Sequence, residues 1–343
     1  MIQPFPNNSN NTLPDLGGDL AWAAARYRRD IADWLDLSTG INPTPYALPL
    51  IPQQAWNSLP SRDREQEVLT AARAYYRVPS EVSILALPGT QSAIQLLPRI
   101  LPTSNVDILT PTYSEHAICW SRAGHRVREI ERLHEIDLST RIVVLVHPNN
   151  PDGRTYPLPE LIALAATLHQ RGGWLIVDEA FADTDPDISL APVMDEAGPI
   201  VLKSFGKFFG LAGLRLGFLA GPDRITQIIS AELGPWAVSG IALEVGAVAL
   251  GDAFWIAATR ARLRQSARRL TVLLTENDLP VIGGTDLFCL VETRNAPTVF
   301  HRLCEAGILC RIFSGRDTVL RFGLPGTETD WSRLAAALAE WRK

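Results

Sequence analysis

The fold is decided by the stretch Ser204-Phe205-Gly206-Lys207-Phe208-Phe209-Gly210-Leu211-Ala212-Gly213-Leu214-Arg215. A lysine lies here among glycines and aromatic side chains. The flanking apolar segments, residues 200–202 and 216–219, predict short buried strands. We therefore expect Lys207 on a turn-rich connection inside a core rather than on a solvated helix. A lysine in apolar surroundings tends to lose its proton, and a neutral amine is a nucleophile toward aldehydes.

Ser204 and Arg215 add a hydroxyl and a guanidinium to this stretch, and both groups suit a phosphate. An amine beside a phosphate-binding pair is what a Schiff base of pyridoxal 5'-phosphate (PLP) requires. The stretch alone leaves a second interpretation open, in which Lys207 is a solvent-facing loop residue beside a structural arginine.

Composition limits the remaining function classes. The chain has 343 residues, of which 46% are hydrophobic, and this length allows a large domain with a smaller partner. A net charge of −5 gives no basic field, so nucleic acid is not an expected partner. Four cysteines without metal-ligand spacing predict reduced thiols of a cytoplasmic protein and no metal site: Cys119, Cys289, Cys304 and Cys310.

The sequence predicts neither a membrane span nor a secretion signal. No apolar run approaches the length of a span, and the N-terminus lacks the basic start and apolar segment of a signal peptide. The polar residues Asn7 to Thr12 are expected to form a loose arm.

From about Val82 the chain follows a β-then-α rhythm, which predicts a mainly parallel sheet with helices on both faces. Beyond Gly221, long helices and a few short strands predict a smaller α+β domain. The predicted bounds are 1–45 for an N-terminal arm and segment that packs on the small domain, 46–233 for the large PLP-binding domain and 234–343 for the small C-terminal domain. Ligands on parallel sheets bind at the carboxyl ends of the strands, where the candidate residues lie.

Two candidates follow directly from these strand ends. Gly89-Thr90-Gln91 opens a helix after a strand, and a helix N-terminus presents free N–H groups to a phosphate, although every doubly wound domain has such turns. Asp178 ends a buried strand and needs a partner, which a protonated pyridine nitrogen would provide. Glu179 points to the opposite face and is expected to be structural.

Further candidates each keep a structural alternative. Asn150 lies in a turn whose composition explains it without any ligand. Tyr113 either stacks on a planar cofactor or packs as an ordinary core aromatic residue. Arg311 and Arg321 stand on two late strands and would bind a planar anion if buried, whereas exposed they would be solvated charges.

The order of these motifs resembles the fold type I PLP enzymes, the aspartate aminotransferase superfamily, over roughly residues 17 to 340. The resemblance implies an α/β fold, PLP as cofactor and a homodimer. It assigns the Schiff base to Lys207, the pyridine nitrogen to Asp178, the ring hydroxyl oxygen to Asn150, the phosphate to Gly89, Thr90, Gln91, Ser204 and Arg215, ring stacking to Tyr113 and the substrate carboxylate to Arg321.

Two segments resemble particular branches of this superfamily. Residues 206–215 resemble the histidinol-phosphate aminotransferase branch, whereas Asp36-Leu37-Ser38-Thr39-Gly40-Ile41-Asn42-Pro43 resembles the threonine-phosphate decarboxylases of cobalamin biosynthesis. The implied reaction converts L-threonine O-3-phosphate to (R)-1-amino-2-propanol O-2-phosphate. Gly40 and Asn42 would close over this small phosphorylated substrate, with Arg311 as its second anchor.

Two other functions are kept open. One is an aminotransferase acting on a phosphorylated amino compound such as histidinol phosphate, and the other is a non-catalytic PLP-fold binding protein. The sequence departs from its relatives at three places: Leu16 replaces a frequent histidine, Phe181 replaces the usual tyrosine, and Leu59-Pro60-Ser61-Arg62 replaces a Tyr-Pro-Asp motif.

Overall fold

The computed structural model of the protein describes residues 17–195 and 198–341, so the predicted polar arm and Leu16 lie outside it. The chain divides into two compact units. The first unit combines the described residues of Met1–Pro43 with those of Arg264–Lys343, and the second unit is Thr44–Leu263. The sequence predicts residues 234–263 in the small domain, whereas the structure groups them with the second unit. The reason is that the helix at 240–251 packs along the helix at 62–76.

The described residues form the following strands and helices, which alternate through most of the second unit. The strands, in chain order, are β1 (Leu35–Asp36), β2 (Ser83–Leu87), β3 (Asn105–Leu109), β4 (Arg126–Ile130), β5 (Ile142–Val146), β6 (Trp174–Asp178), β7 (Ile200–Ser204), β8 (Gly217–Gly221), β9 (Val281–Thr285), β10 (Phe288–Glu292), β11 (Ile308–Leu309), β12 (Arg311–Ile312) and β13 (Val319–Gly323). The helices are α1 (Leu20–Tyr27), α2 (Gln53–Asn57), α3 (Arg62–Tyr76), α4 (Thr90–Ile100), α5 (Glu115–Arg122), α6 (Leu158–Gln170), α7 (Phe205–Phe208), α8 (Asp223–Leu233), α9 (Gly240–Gly251), α10 (Ala253–Glu276), α11 (Ala296–Glu305) and α12 (Glu328–Trp341). Short 3-10 turns lie at Ile31–Asp33, Leu133–Glu135, Ala182–Thr184, Pro186–Ile188, Ala191–Val193 and Ala212–Leu214.

The second unit is built on a seven-stranded sheet with the strand order β2-β8-β7-β6-β5-β3-β4. Strands β3 to β7 run parallel to one another, and β8 runs antiparallel to both of its neighbours. The predicted mainly parallel sheet is therefore confirmed. Because β5, β6 and β7 end at the same edge, the residues that end or follow them, Asn150, Asp178 and Lys207, are placed along that edge.

Apolar side chains cover both faces of this sheet. On one face, Ile94 and Leu97 of α4 pack in a cluster with Val144 of β5 and with residues of the neighbouring strands. On the other face Val143 and Leu145 are also fully buried, which explains why β5 is a continuous apolar run. Burying each such side chain contributes roughly 1.5–3 kcal/mol before the entropy of ordering the chain is subtracted.

The first unit contains an antiparallel sheet of order β12-β13-β10-β9, and β1 pairs with β11 in parallel. The sequence prediction missed β9, since Gly283 and Gly284 interrupt its apolar pattern. Gly284 has φ +148° and pairs with Cys289, beside a register shift between Leu290 and Val291. Gly284 is required here because the backbone of β10 approaches too closely for a side chain.

Among the described residues, no individual helix is both long and apolar enough to cross a membrane. The pair α9 and α10 meets that criterion only jointly, with a bend of 78° between them.

Candidate active site

Lys207 lies on α7, a single helical turn that directly follows β7, where the sequence predicts a turn-rich connection inside a core. Phe205, Phe208 and Phe209 around it are buried, and Lys207 itself is half-buried. The Lys207 ammonium lies 5.7 Å from the centre of the Phe181 ring. The lysine is therefore held against an aromatic surface, as its sequence surroundings predict.

A second lysine, Lys203 on β7, occupies a different environment. It is buried, contacts the Glu179 carboxylate and donates to Ser189 Oγ at 2.9 Å. Glu179 also accepts from Ser189 Oγ at 2.5 Å and from the Leu190 amide at 2.7 Å. Lys203 is thus committed to this buried network, and the lysine on α7 is the better candidate for covalent chemistry. Glu179 makes the contacts of a structural residue, as the sequence predicts.

Gly89 and Arg215 form a tight pair at the start of α4. Gly89 caps this helix with φ +78°, and a Cβ built on it would lie 2.6 Å from Nη2 of Arg215. The guanidinium therefore rests against the N-terminus of a helix, which is itself the positive end of the helix dipole. Two positive groups facing each other favour an anion between them. The predicted phosphate ligands Gly89, Thr90 and Arg215 are brought together at this point.

Ser204 lies near the N-terminus of α4 because of the way β7 and β8 pair in the sheet. It pairs with Gly217 across β7 and β8, and a Cβ at Gly217 would lie 2.9 Å from the Thr90 amide nitrogen. Only a glycine allows β8 to approach α4 this closely. The half-buried hydroxyl of Ser204 is thereby positioned at the end of β7, near the first turn of α4.

Asp178 is buried at the end of β6, and both of its carboxylate oxygens are engaged. Oδ1 accepts from the Ala180 amide at 3.1 Å, and Oδ2 lies 3.2 Å from Nε2 of His116. His116, on α5, is itself buried, and the sequence prediction missed it. The pair keeps the orientation of the Asp178 carboxylate fixed at the edge of the sheet.

Asn149 and Asn150 follow β5 and differ in their roles. Asn149 is buried and holds the loop, because its amide donates to Pro111 O at 2.8 Å and to Asp152 Oδ1 at 2.7 Å. Its carbonyl accepts from Thr112 Oγ1 at 2.8 Å. Turn formation therefore explains Asn149 fully, and Asn150, which is half-buried, is the better candidate for a ligand contact.

Tyr113 and Gln91 contact each other. The Tyr113 hydroxyl donates to Gln91 Oε1 at 3.2 Å, while Gln91 Nε2 donates to Glu115 Oε2 at 2.9 Å. The side chain of Gln91 is thus used within the protein, and its predicted phosphate contact is left to its backbone N–H. Burial, followed by the charge of Glu115, raises the pKa of Tyr113 to about 12.

The segment that departs from the Tyr-Pro-Asp motif leads into α3. Ser61 is the N-cap residue of this helix, and its hydroxyl accepts from the Arg64 amide at 3.4 Å. Leu59 is exposed, and Arg62 is the first residue of the helix.

The first unit holds the two late arginines. Arg311 and Arg321 are directly paired across β12 and β13. Arg321 is buried, donates to Ser38 O at 2.8 Å and lies 5.0 Å from the centre of the Phe288 ring. Burial, and next the charge of Arg311, lower the pKa of Arg321 to about 9, although Asp36 acts in the opposite direction. Two guanidinium groups paired on neighbouring strands are suited to binding an anion.

The segment Ser38–Asn42 packs on this sheet. Ser38 donates to Asp36 Oδ1 through its amide at 2.8 Å and its hydroxyl at 2.6 Å, and the Gly323 amide donates to Leu37 O at 2.7 Å. Gly40 and Asn42 are both buried. The segment therefore belongs to the same unit as the two arginines.

The described residues contain no group of three or more His, Cys, Asp or Glu side chains arranged to hold a metal ion. The four cysteines are buried free thiols.

Comparisons with known proteins identify the family of the chain. The model of the family "Aminotransferase class I and II" matches residues 32–338. A threonine-phosphate decarboxylase from Pseudomonas aeruginosa is 45% identical over 330 residues, 95% of this chain and 98% of the relative. A protein of the same name from Sinorhizobium sp is 46% identical over 326 residues, 94% of this chain and 97% of the relative.

Comparison with a solved structure shows that the fold is shared. The histidinol-phosphate aminotransferase from Sinorhizobium meliloti, in complex with pyridoxal-5'-phosphate, superposes with a TM-score of 0.80 at 18% identity and covers 95% of each chain. At this identity the likeness concerns the fold alone.

Proposed function

Because the chain belongs to the aminotransferase class I and II family, we propose that it is a PLP-dependent enzyme that decarboxylates L-threonine O-3-phosphate. The product would be (R)-1-amino-2-propanol O-2-phosphate, a precursor for cobalamin biosynthesis. The observation that carries the proposal is the identity of 45% and 46% to two threonine-phosphate decarboxylases across nearly the full length of all three chains.

The residues of the second unit fit PLP. The cofactor phosphate would lie where the Arg215 guanidinium meets the N-terminus of α4 at Gly89, since both are positive groups that favour an anion. The amine of Lys207 would hold the cofactor covalently, and the Asp178 carboxylate would pair with its protonated pyridine nitrogen. Asn150 would donate to the ring hydroxyl oxygen, a task it carries largely alone because Phe181 has no hydroxyl.

Bound PLP supplies an acceptor for the electron pair that remains on Cα when CO2 leaves. The protein's part is to orient the substrate and to move one proton. Asp178 would keep the ring nitrogen of bound PLP protonated, which favours electron uptake. After CO2 leaves, Cα needs a proton, and Lys207, which the substrate amine would by then have replaced on the cofactor, is the group proposed to donate it as a free ammonium.

The substrate carries a carboxylate and a phosphate, and the first unit offers two opposed arginines. We assign Arg311 and Arg321 to these two anions. Arg321 is fixed by Ser38 O and the Phe288 ring, so it provides a rigid anchor, while Arg311 is half-buried at the neighbouring strand. Gly40 and Asn42, in the segment that contributes Ser38, are proposed to cover the substrate.

A single assay tests the reaction. The purified protein with PLP is mixed with L-threonine O-3-phosphate, and CO2 and the amino alcohol phosphate are measured without any 2-oxo acid. We expect CO2 release that is lost in Lys207→Ala. Turnover of histidinol phosphate that depends on 2-oxoglutarate, without CO2 release, would favour an aminotransferase instead. Binding of PLP without turnover of either substrate would favour a non-catalytic protein.

The proposal includes a cytoplasmic homodimer. Large apolar side chains are exposed along one stretch of the second unit: Leu48, Leu50, Trp56 and Leu59. Such side chains favour burial against another protein surface. The buried free thiols are compatible with a reducing compartment. Sedimentation velocity of the holoenzyme would test the dimer, and a single monomeric species would contradict it.

A further inference from the structure

Three side chains link the first turn of α4 to the first turn of α5. Gln91, the second residue of α4, donates to the Glu115 carboxylate at 2.9 Å, and its carbonyl accepts from the Tyr113 hydroxyl at 3.2 Å. All three are half-buried. None of the functions proposed above requires Glu115.

The chemistry of the three side chains determines which group donates and which accepts in each of these hydrogen bonds. A carboxylate only accepts hydrogen bonds, so Glu115 must face the NH2 of Gln91. The carbonyl of Gln91 is then the end that faces Tyr113, and the Tyr113 hydroxyl must donate. The raised pKa of Tyr113 agrees, because a phenol that titrates near 12 keeps its proton at neutral pH. Glu115 thereby determines which end of the Gln91 amide meets the tyrosine.

The ring of Tyr113 is held at two places. Its hydroxyl is fixed by Gln91, and its ring lies perpendicular to the His116 ring, with centroids 6.1 Å apart and an angle of 89°. His116 in turn contacts Asp178. The plane of Tyr113 is therefore tied to the carboxylate that we assign to the pyridine nitrogen.

We propose that Glu115 and Gln91 are positioning residues that set the plane of Tyr113 for stacking on the cofactor ring. The inference rests on the proposed function, because it needs PLP as the ligand. Glu115 acts through Gln91 and touches no reacting atom. Its effect should therefore depend on the presence of the Tyr113 hydroxyl.

A double-mutant cycle tests this dependence. PLP affinity and the circular dichroism of the bound cofactor in the visible range are measured for Glu115→Ala, Tyr113→Phe and the double variant. We expect Glu115→Ala to weaken PLP binding by about tenfold, the value of one hydrogen bond to a charged group, and to change the dichroism band. In the Tyr113→Phe background the same substitution should have almost no further effect.

Two more variants serve as controls. Glu115→Gln keeps the size of the side chain but no longer dictates the direction of the amide, so a partial loss is expected. Glu160→Ala removes an exposed glutamate from the first turn of α6 and should leave cofactor binding and dichroism unchanged. An equal effect of Glu115→Ala with and without the Tyr113 hydroxyl would overturn the proposal, as would an unchanged dichroism band. Neither readout needs turnover, so failure to release CO2 would overturn the decarboxylase assignment alone.

Discussion

Arg311 and Arg321 lie directly opposite each other on neighbouring antiparallel strands, although like charges in this position repel. The lowered pKa of Arg321 reflects both its burial and this repulsion. An anion bound between the two guanidinium groups would reduce this repulsion, and the substrate carries two anionic groups.

Arg311→Gln should therefore weaken substrate binding without lowering the free energy of unfolding of the anion-free protein. We expect KM for threonine phosphate to rise by about 10- to 100-fold, because hydrogen bonds to charged groups are worth roughly 1.5–3 kcal/mol. Without anions, the variant should be at least as stable as the wild type, since the repulsion is gone. Thermal unfolding with and without inorganic phosphate checks the second point, and equal stabilisation of both proteins by phosphate would argue against an anion site here.

Gly89→Ala should weaken the binding of PLP. The new Cβ would lie 2.6 Å from Arg215 Nη2, so the guanidinium has to leave the helix N-terminus. Gly124→Ala is the matched control, because Gly124 has a similar positive φ of 88° with nothing within 4 Å of its Cβ position. Both variants should lose roughly 1 kcal/mol of stability from backbone strain. Only Gly89→Ala should also raise the Kd of PLP, by about tenfold or more. Equal affinities in fluorescence titration would contradict the assigned phosphate site.

Asp178→Asn should lower kcat by a factor on the order of 10² to 10³, because a neutral amide no longer favours a protonated pyridine nitrogen. Asp107→Asn offers a comparison, since Asp107 is also a buried aspartate on a parallel strand and is bound by Arg128 and Thr140. That variant should lose on the order of 1–3 kcal/mol of stability but retain its kcat per folded site. Similar kcat values for the two variants would remove Asp178 from the chemistry.

Asp183 gives the stability of the protein a pH dependence. Burial raises its pKa from 3.8 to about 6, while Lys203 and Arg260 act in the opposite direction. Above pH 6 the native state must hold a buried carboxylate that the unfolded chain solvates freely. The free energy of unfolding contributed by Asp183 therefore decreases as the pH rises from about 4 to about 6. Asp183 lines a small cavity whose other polar and charged lining residues are Tyr75, Tyr76, Arg77, Ser189, Lys203 and Arg260.

Asp183→Asn should therefore be more stable than the wild type at pH 8, by on the order of 2 kcal/mol, with a smaller difference at pH 5. Urea unfolding at both pH values measures this change. A difference that is constant with pH would mean that Asp183 does not titrate in this range.

The sequence predicts those parts of the fold that depend on local patterns. The apolar run of β5, residues 142–146, matches its strand to the residue, and Gly89, which follows β2, marks the start of α4. Strand β9 was missed because its pattern is broken by Gly283 and Gly284, and Gly284 is required by the close backbone of β10 rather than by local preference. Helix α10 runs across the division between the units, so its amphipathic pattern carried no sign of a boundary.

The candidate site shows the same limit. Lys207 and Asp178 are recognisable because strand ends and glycines surround them. His116 is not, since its partner Asp178 lies 62 residues away and the local sequence gives it no special place. The side-chain contacts of Gln91 could not be predicted either, because they depend on how α4 and α5 meet. Whether Arg311 faces Arg321 is decided by the register of two strands, which a single sequence does not fix.

The pairing of β1 with β11 has a consequence for synthesis. Ser38 and Arg321, joined by a hydrogen bond in the first unit, are 283 residues apart in the chain. During translation the N-terminal strand leaves the ribosome long before its partner exists, whereas Thr44–Leu263 is one uninterrupted stretch. The second unit can therefore fold first, and the first unit must wait for nearly the whole chain to be made. Until then, residues 35–42 remain without their native partners on β11 and β13 and are open to chaperones and proteases.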